Sequence, residues 1–150
     1  MKSTTIDGII WQQLKIIEDD RGAVLHMIRS DNIGGNGFGE IYFSELKIGV
    51  IKGWKMHYQM TQRFSVPFGL ARFVLYDGRK DSITFGQISI RLTGRPDHYG
   101  LLRVPPGIWY AFQNVGTTSA IVANCSDLIH DPNESTTMPL NSKIIDFSWD

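Results

Sequence analysis

Apolar positions along this chain come in short runs, and no sustained helical stripe links them. Ile41-Tyr42-Phe43, Val50-Ile51, Ala71 to Tyr76, Ile88 to Leu92, Leu101 to Val104 and Ala120 to Ala123 are rich in β-branched and aromatic residues. Turn-forming sequences bound them: Asp77-Gly78, Thr93-Gly94, Gly100 and Asn114-Val115-Gly116. Short strands at such spacing predict an all-β sandwich or barrel. Lys52 to Gln59 reads as a further strand. Ser30 to Gly37 has the composition of a loop, and Ser135 to Ser142 that of an irregular polar tail before Ile144-Ile145 and Phe147.

Composition narrows the function classes. A chain of 150 residues predicts one domain over 1–150, and about 68–70% of its unfolded surface should be buried on folding. Fifteen Lys+Arg balance fifteen Asp+Glu. No general basic field exists to gather nucleic acid or an anionic membrane, so an anionic ligand needs a local cluster. The lone Cys125 excludes an intrachain disulfide and fits a reducing compartment. In its apolar run it reads as a small buried residue rather than a nucleophile. No signal peptide or membrane-spanning run is evident, and a cytoplasmic location is expected.

Alternation in the strand 52–59 places Lys55, His57 and Gln59 on one face and Trp54, Met56 and Tyr58 on the other. Parity alone leaves open which face is inward. If Lys55 and His57 point in, a cation and an imidazole converge in a pocket that Tyr110 and Trp109 would also line, beyond Pro105-Pro106-Gly107. A metal is not expected there. His57 alone cannot hold one, lysine repels a cation, and His26, His98 and His130 are scattered.

The spacing of these residues resembles the two motifs of the cupin superfamily, G-x5-H-x-H-x4-E-x6-G and P-x-G-x2-H-x3-N. Gly49 and Gly69 frame the first, Pro105 to Asn114 the second. The usual metal-ligand positions read Lys55, His57, Gln62 and Tyr110. The resemblance implies a jelly-roll β-sandwich barrel with the Lys55–His57 face inward. It also implies a site that does not work through a metal or any other cofactor.

The ordered series of motifs is similar to the dTDP-4-dehydrorhamnose 3,5-epimerase family of metal-independent cupins. Asp19-Asp20-Arg21-Gly22 resembles D-x-R-G. Gly49-Val50-Ile51-Lys52-Gly53 and His57-Tyr58-Gln59 resemble G-V-x-R-G-L-H-x-Q with two residues inserted. Asp77-Gly78-Arg79 with Ser82 to Gly86 resembles D-x-R-x-x-S-P-T-F-G, and Pro105 to Phe112 resembles P-x-G-F-A-H-G-F. Cys125-Ser126-Asp127 and Pro132-Asn133-Glu134 echo C-T-D and Y-x-P-x-x-E.

The resemblance implies an epimerase or isomerase of a nucleoside-diphosphate 4-keto-deoxy sugar in surface-polysaccharide synthesis, acting as a homodimer that exchanges an N-terminal strand. His57 would take a proton next to the ketone. Lys52 and Lys55 would meet the diphosphate or the enolate, and Arg21 would reach the nucleotide. Gln59 shares the His57 face, Gln62 replaces the family's active-site lysine, and His26 replaces a glutamate that contacts the base. The family's tyrosine acid falls near Ile129 and His130, which leaves Tyr110 or His130 as proton donor. Its supporting carboxylate falls near Asn141 and Ser142, so no His–carboxylate pair is evident. These departures keep open a non-catalytic sugar-nucleotide or carbohydrate-binding cupin.

Overall fold

The computed structural model describes residues 6–32 and 37–149. Of the loop expected over Ser30 to Gly37, residues 33–36 lie outside the described residues. The described residues form the strands β1 (Ile10–Gln13), β2 (Ile16–Asp19), β3 (Gly22–Leu25), β4 (Glu40–Leu46), β5 (Ile51–His57), β6 (Gln62–Phe68), β7 (Leu70–Asp77), β8 (Ile88–Gly94), β9 (Gly100–Val104), β10 (Ile108–Asn114), β11 (Ala120–Ser126) and β12 (Ser135–Thr137). Among the described residues a single 3-10 turn, Pro132–Glu134, precedes β12. The fold is the all-β cupin sandwich. No helix of the described residues is long and apolar enough to cross a membrane.

One five-stranded sheet runs β1-β9-β6-β11-β4, the other β12-β5-β10-β7-β8, and β2-β3 forms a separate hairpin. Every pairing within them is antiparallel. Between the two large sheets lies the main core, including Leu46, Phe64, Val66, Phe73, Leu75, Leu102, Tyr110, Phe112 and Val122. The aromatic members meet at angles: Phe64 and Phe73 lie 5.0 Å apart, and Phe64 and Tyr110 5.1 Å.

The second sheet is covered on its outer face too. Val74 and Ala111, from the alternate positions of β7 and β10, pack with Trp54, Ile145, Phe147 and Trp149. The C-terminal segment thus straps the back of the sheet. Arg72 lies 5.5 Å from the Phe147 ring centre and 5.6 Å from that of Trp149. Burial on both faces explains why Phe73 to Tyr76 reads as a continuous apolar run rather than an alternation.

The tail expected to be irregular pairs in part. Ser135–Thr137 add to β5 as an edge strand, with Ser135 opposite His57 and Thr137 opposite Lys55. The sheet beyond supplies backbone partners that a polar sequence does not advertise.

Candidate functional site

The site is built on β5. Tyr110 pairs with Lys55, whereas Ala111 pairs with Gly53, so Trp54 is an extra residue in a β-bulge. The bulge resets the alternation. Lys52 and Lys55, three positions apart, both reach the space between the sheets, and Trp54 turns outward into the strap, fully buried. Gly53 permits this: its φ is +148°, and a side chain there would collide with Ala111.

These residues bound a cavity of 180 Å³ between the two sheets. The second sheet contributes Lys52, Gly53, Lys55, Tyr110 and Phe112. The first contributes Tyr42, Ser44, Phe64, Val122 and Asn124. No carboxylate is among them, so the cavity presents two ammonium groups, two phenols and an amide over an aromatic floor.

Behind Tyr110 lies a buried chain of hydrogen bonds. His57 Nδ1 is 2.8 Å from Glu134 Oε1, and His57 Nε2 is 2.9 Å from the Tyr110 hydroxyl. Glu134 Oε2 accepts from the backbone N–H groups of Gln59 at 2.9 Å and Met60 at 2.7 Å. Burial disfavours the charge on Glu134, but the bonds from His57, Gln59 and Met60 outweigh it and hold the carboxyl below its ordinary value. An ionised carboxylate only accepts, so Nδ1 carries the imidazole hydrogen. Nε2 is then left with its lone pair, and the Tyr110 hydroxyl donates to it. Burial pulls the His57 pKa down against the bond and charge of Glu134, with Lys55 and His130 adding in the same direction as burial. The imidazole is therefore neutral at pH 7 and able to take a proton. Burial pushes the Tyr110 hydroxyl far up, so it remains protonated.

The two cupin motifs meet at this point. Gly107 N–H donates to the His57 carbonyl at 2.8 Å, tying the Pro-Pro-Gly turn to the end of β5. Asp131 caps the 3-10 turn by accepting from Asn133 N–H, with Pro132 inside its start. That turn delivers Glu134 to His57.

The opposite wall has its own network. Asn124 Nδ2 donates to the Tyr42 oxygen at 2.9 Å and also meets Gln62 Oε1. Its Oδ1 accepts from Arg63 N–H at 3.2 Å, which fixes which way the amide faces.

Among the residues singled out from sequence, Lys52, Lys55 and Tyr110 line the cavity, and His57 stands directly behind Tyr110. Gln59 contributes its backbone N–H, its side chain being exposed. Gln62 is buried behind Asn124 and is not on the cavity wall. Trp109, expected in the pocket, lies on the outer face of β10 with the strap, because it alternates with the inward Tyr110. Arg21 sits at the tip of the β2–β3 hairpin, paired with Asp19 and exposed. His26 lies just past β3, where its backbone carbonyl accepts from the Tyr99 hydroxyl at 2.6 Å. Neither lines the cavity of its own chain. His130 is in an exposed loop, its N–H donating to Glu40 at 2.7 Å.

Three contributors escaped the sequence reading. Glu134 supplies the carboxylate that seemed missing from its place near Asn141 and Ser142. Its Pro-Asn-Glu echo was visible, but the partner lies across the fold. Tyr42 sat in a run that read only as apolar, and Asn124 lay just past the run Ala120 to Ala123. The inward parity of Tyr42 and Ser44 was the available signal. Among the described residues no three His, Cys, Asp or Glu side chains come together as a metal-binding group.

Comparison with known proteins agrees with the fold and the ordered motifs. The sequence pattern of the family described as dTDP-4-dehydrorhamnose 3,5-epimerase matches residues 3–150. The chain is 30% identical over 146 residues to the spore coat polysaccharide biosynthesis protein SpsL of Bacillus subtilis, covering 96% of each chain. It is 26% identical over 122 residues to a probable low-salt glycan biosynthesis epimerase of Haloferax volcanii, covering 80% of this chain and 78% of that one. Among solved structures, a dTDP sugar isomerase from Desulfovibrio desulfuricans superimposes with a TM-score of 0.93 at 46% identity, covering 96% of this chain and 92% of that one. With the cupin sandwich, the ordered motifs and this family-wide match together, the chain belongs to the dTDP-4-dehydrorhamnose 3,5-epimerase family.

Proposed function

We propose that this protein epimerises a nucleoside-diphosphate 4-keto-deoxy sugar by metal-independent proton transfer, within the synthesis of a surface polysaccharide. The observation that carries the reading is the buried Glu134–His57–Tyr110 chain, which ends on the wall of a cavity holding two lysines. A ketone acidifies the neighbouring C–H. As that bond breaks, its proton passes to the Tyr110 oxygen while the Tyr110 proton moves to His57 Nε2. The bonding pair enters the enolate. The two transfers are concerted, because the raised Tyr110 pKa disfavours a free phenolate. Glu134 stabilises the imidazolium that forms. Lys55 steadies the enolate oxygen and Lys52 meets the diphosphate, in a cavity where no opposing carboxylate weakens them. The dTDP moiety is suggested by the family description and by the Desulfovibrio relative.

The non-catalytic alternative rested on the absent carboxylate partner of His57 and on the absent tyrosine acid, and Glu134 removes the first of these supports. We place the working form as a homodimer in the cytoplasm. The β2–β3 hairpin carries exposed Ile17 and Val24 beside Arg21, apart from its own cavity, which suits contact with a second copy. Light scattering on the purified chain tests the dimer.

The activity is tested by deuterium incorporation at C3 and C5 of dTDP-4-keto-6-deoxy-D-glucose and its other nucleoside-diphosphate analogues in D2O. Incorporation by the parent, abolished in His57→Asn, is expected. No incorporation on the whole panel overturns the epimerase reading.

A further inference from the structure

Inversion at carbon needs a second group. A proton returned from the face it left restores the substrate; the epimer forms only when a donor stands on the other side of the enolate. Tyr110 occupies the second-sheet wall of the cavity, and its hydrogen is committed to His57 Nε2. Across the cavity, on β4 of the first sheet, stands a second phenol, Tyr42. Its hydrogen bonding is the reverse of that of Tyr110. The Tyr42 oxygen accepts from Asn124 Nδ2 at 2.9 Å, and Arg63 N–H fixes the amide so that this nitrogen must donate. The hydrogen of Tyr42 is thereby left free to point into the cavity. His130, the donor suggested by sequence, is exposed in its loop and lies off the cavity wall.

Resting on the epimerase reading above, we propose that Tyr42 is the acid that protonates the enolate from the face opposite Tyr110. The Tyr42 O–H bond breaks as the new C–H bond forms. The enolate electrons make that bond and the ketone is restored. The resulting phenolate is stabilised by the Asn124 amide and takes a proton from water, while the proton held on His57 returns through Tyr110 to water, so that both groups are reset. Tyr42 is 38% exposed, so solvent reaches it at the cavity mouth. Burial and the neighbouring Glu40 keep the phenol protonated between turnovers, against the bond from Asn124. An ordinary phenol, with a pKa of about 10, is a far stronger acid than the carbon it protonates.

The experiment uses dTDP-4-keto-6-deoxy-D-glucose in D2O and reads two quantities by NMR: deuterium in recovered substrate and epimer formed. Tyr42→Phe removes one oxygen and leaves Asn124 its contact with Gln62, so the melting temperature should move little. The expected result is deuterium entering the recovered substrate at a rate near the parent's, with epimer formation down about 100-fold or more. His57→Asn should lose both. Epimer formation by Tyr42→Phe at the parental rate overturns the assignment while leaving the epimerase reading intact. Loss of both readouts in a folded Tyr42→Phe also overturns it, because Tyr42 would then serve binding. A parent inert in both readouts removes the epimerase reading and this assignment together.

Discussion

Nδ1 of His57 and Oε1 of Glu134 lie 2.8 Å apart, although 77 positions separate them in the chain, and both side chains are buried. Glu134 sets the tautomer of His57, and the tautomer decides which nitrogen can accept a proton. Glu134→Gln replaces a fixed acceptor with an amide that can donate to Nδ1 and reverse the tautomer. Activity should fall between about 10²- and 10⁴-fold in kcat. Stability should fall by about 1–3 kcal/mol, since the Gln59 and Met60 N–H groups lose a charged acceptor. Steady-state kinetics beside thermal melting separates the two effects.

The pH dependence carries a sign. In the unfolded chain His57 takes a proton below about pH 6.5, whereas burial keeps the folded imidazole neutral to lower pH. The unfolded state then binds more protons, so this contribution to stability is complete above about pH 6.5 and is lost as pH falls toward the folded value. Glu134 and Asp77 act in a second, more acidic window. Burial works against the Asp77 charge, but bonds from Arg79, Ser82 and Thr84 outweigh it and hold its pKa low. Their stabilisation is present above the ordinary carboxylate value of about 4 and is lost below it. In kinetics, the acid limb of kcat/KM should inflect below about pH 6.5. Glu134→Gln removes a group that raises the His57 pKa, so its limb should shift further toward acid. A limb that moved toward higher pH would contradict His57 as the proton acceptor.

Much of the framework was legible because it follows from local rules. Runs such as Phe73 to Tyr76 read as buried strands, and the glycine and proline frame pointed to the strands that line the candidate cavity. What was not legible depends on contacts far apart in sequence. β6 begins Gln62-Arg63 and escaped notice as a strand because its polar residues are buried through distant partners. Arg63 Nε donates to the Cys125 carbonyl at 3.0 Å and its Nη2 to that of Gly37 at 2.6 Å. Parity correctly separated Lys55 and His57 from Trp54. It could not show that a bulge also turns Lys52 inward, since the extra residue is defined only against β10. Trp109 was misplaced by one position for the same reason: only the register with β7 and β5 shows which of Trp109 and Tyr110 faces the cavity.

The two lysines should separate binding from chemistry. Lys52 is the exposed member of the pair and Lys55 the half-buried one, opposite Tyr110. Lys52→Gln should raise KM about 10- to 100-fold with kcat little changed, as expected when a charged hydrogen bond worth about 1.5–3 kcal/mol is lost. Lys55→Gln should lower kcat, because the enolate charge develops only in the transition state. Lys55→Gln should also raise the His57 pKa and move the acid limb toward neutrality, since the Lys55 charge opposes imidazole protonation. Kinetics across pH at fixed ionic strength measures all three effects.

The bulge links the strap on the back of the sheet to the cavity on its front, and Gly53 is its hinge point. A methyl group there would strike Ala111, and the φ of +148° is closed to other residues. Gly53→Ala therefore either shifts β5 away from β10 or flattens the bulge. Both displace Lys52 from the cavity and Trp54 from its packing against Ile145 and Trp149. Overpacking of this kind costs about 1–3 kcal/mol, or roughly 2–12 °C in melting temperature if each kcal/mol moves it by about 2–4 °C. Ile145→Ala removes packing from behind Trp54 without touching the backbone at Gly53. It should cost about 2–5 kcal/mol as a buried large-to-small change, yet leave KM close to the parent's at temperatures where the protein stays folded. A raised KM in Gly53→Ala with an unchanged KM in Ile145→Ala would locate the effect in the bulge. Equal KM changes in both would show that the strap itself positions the lysines.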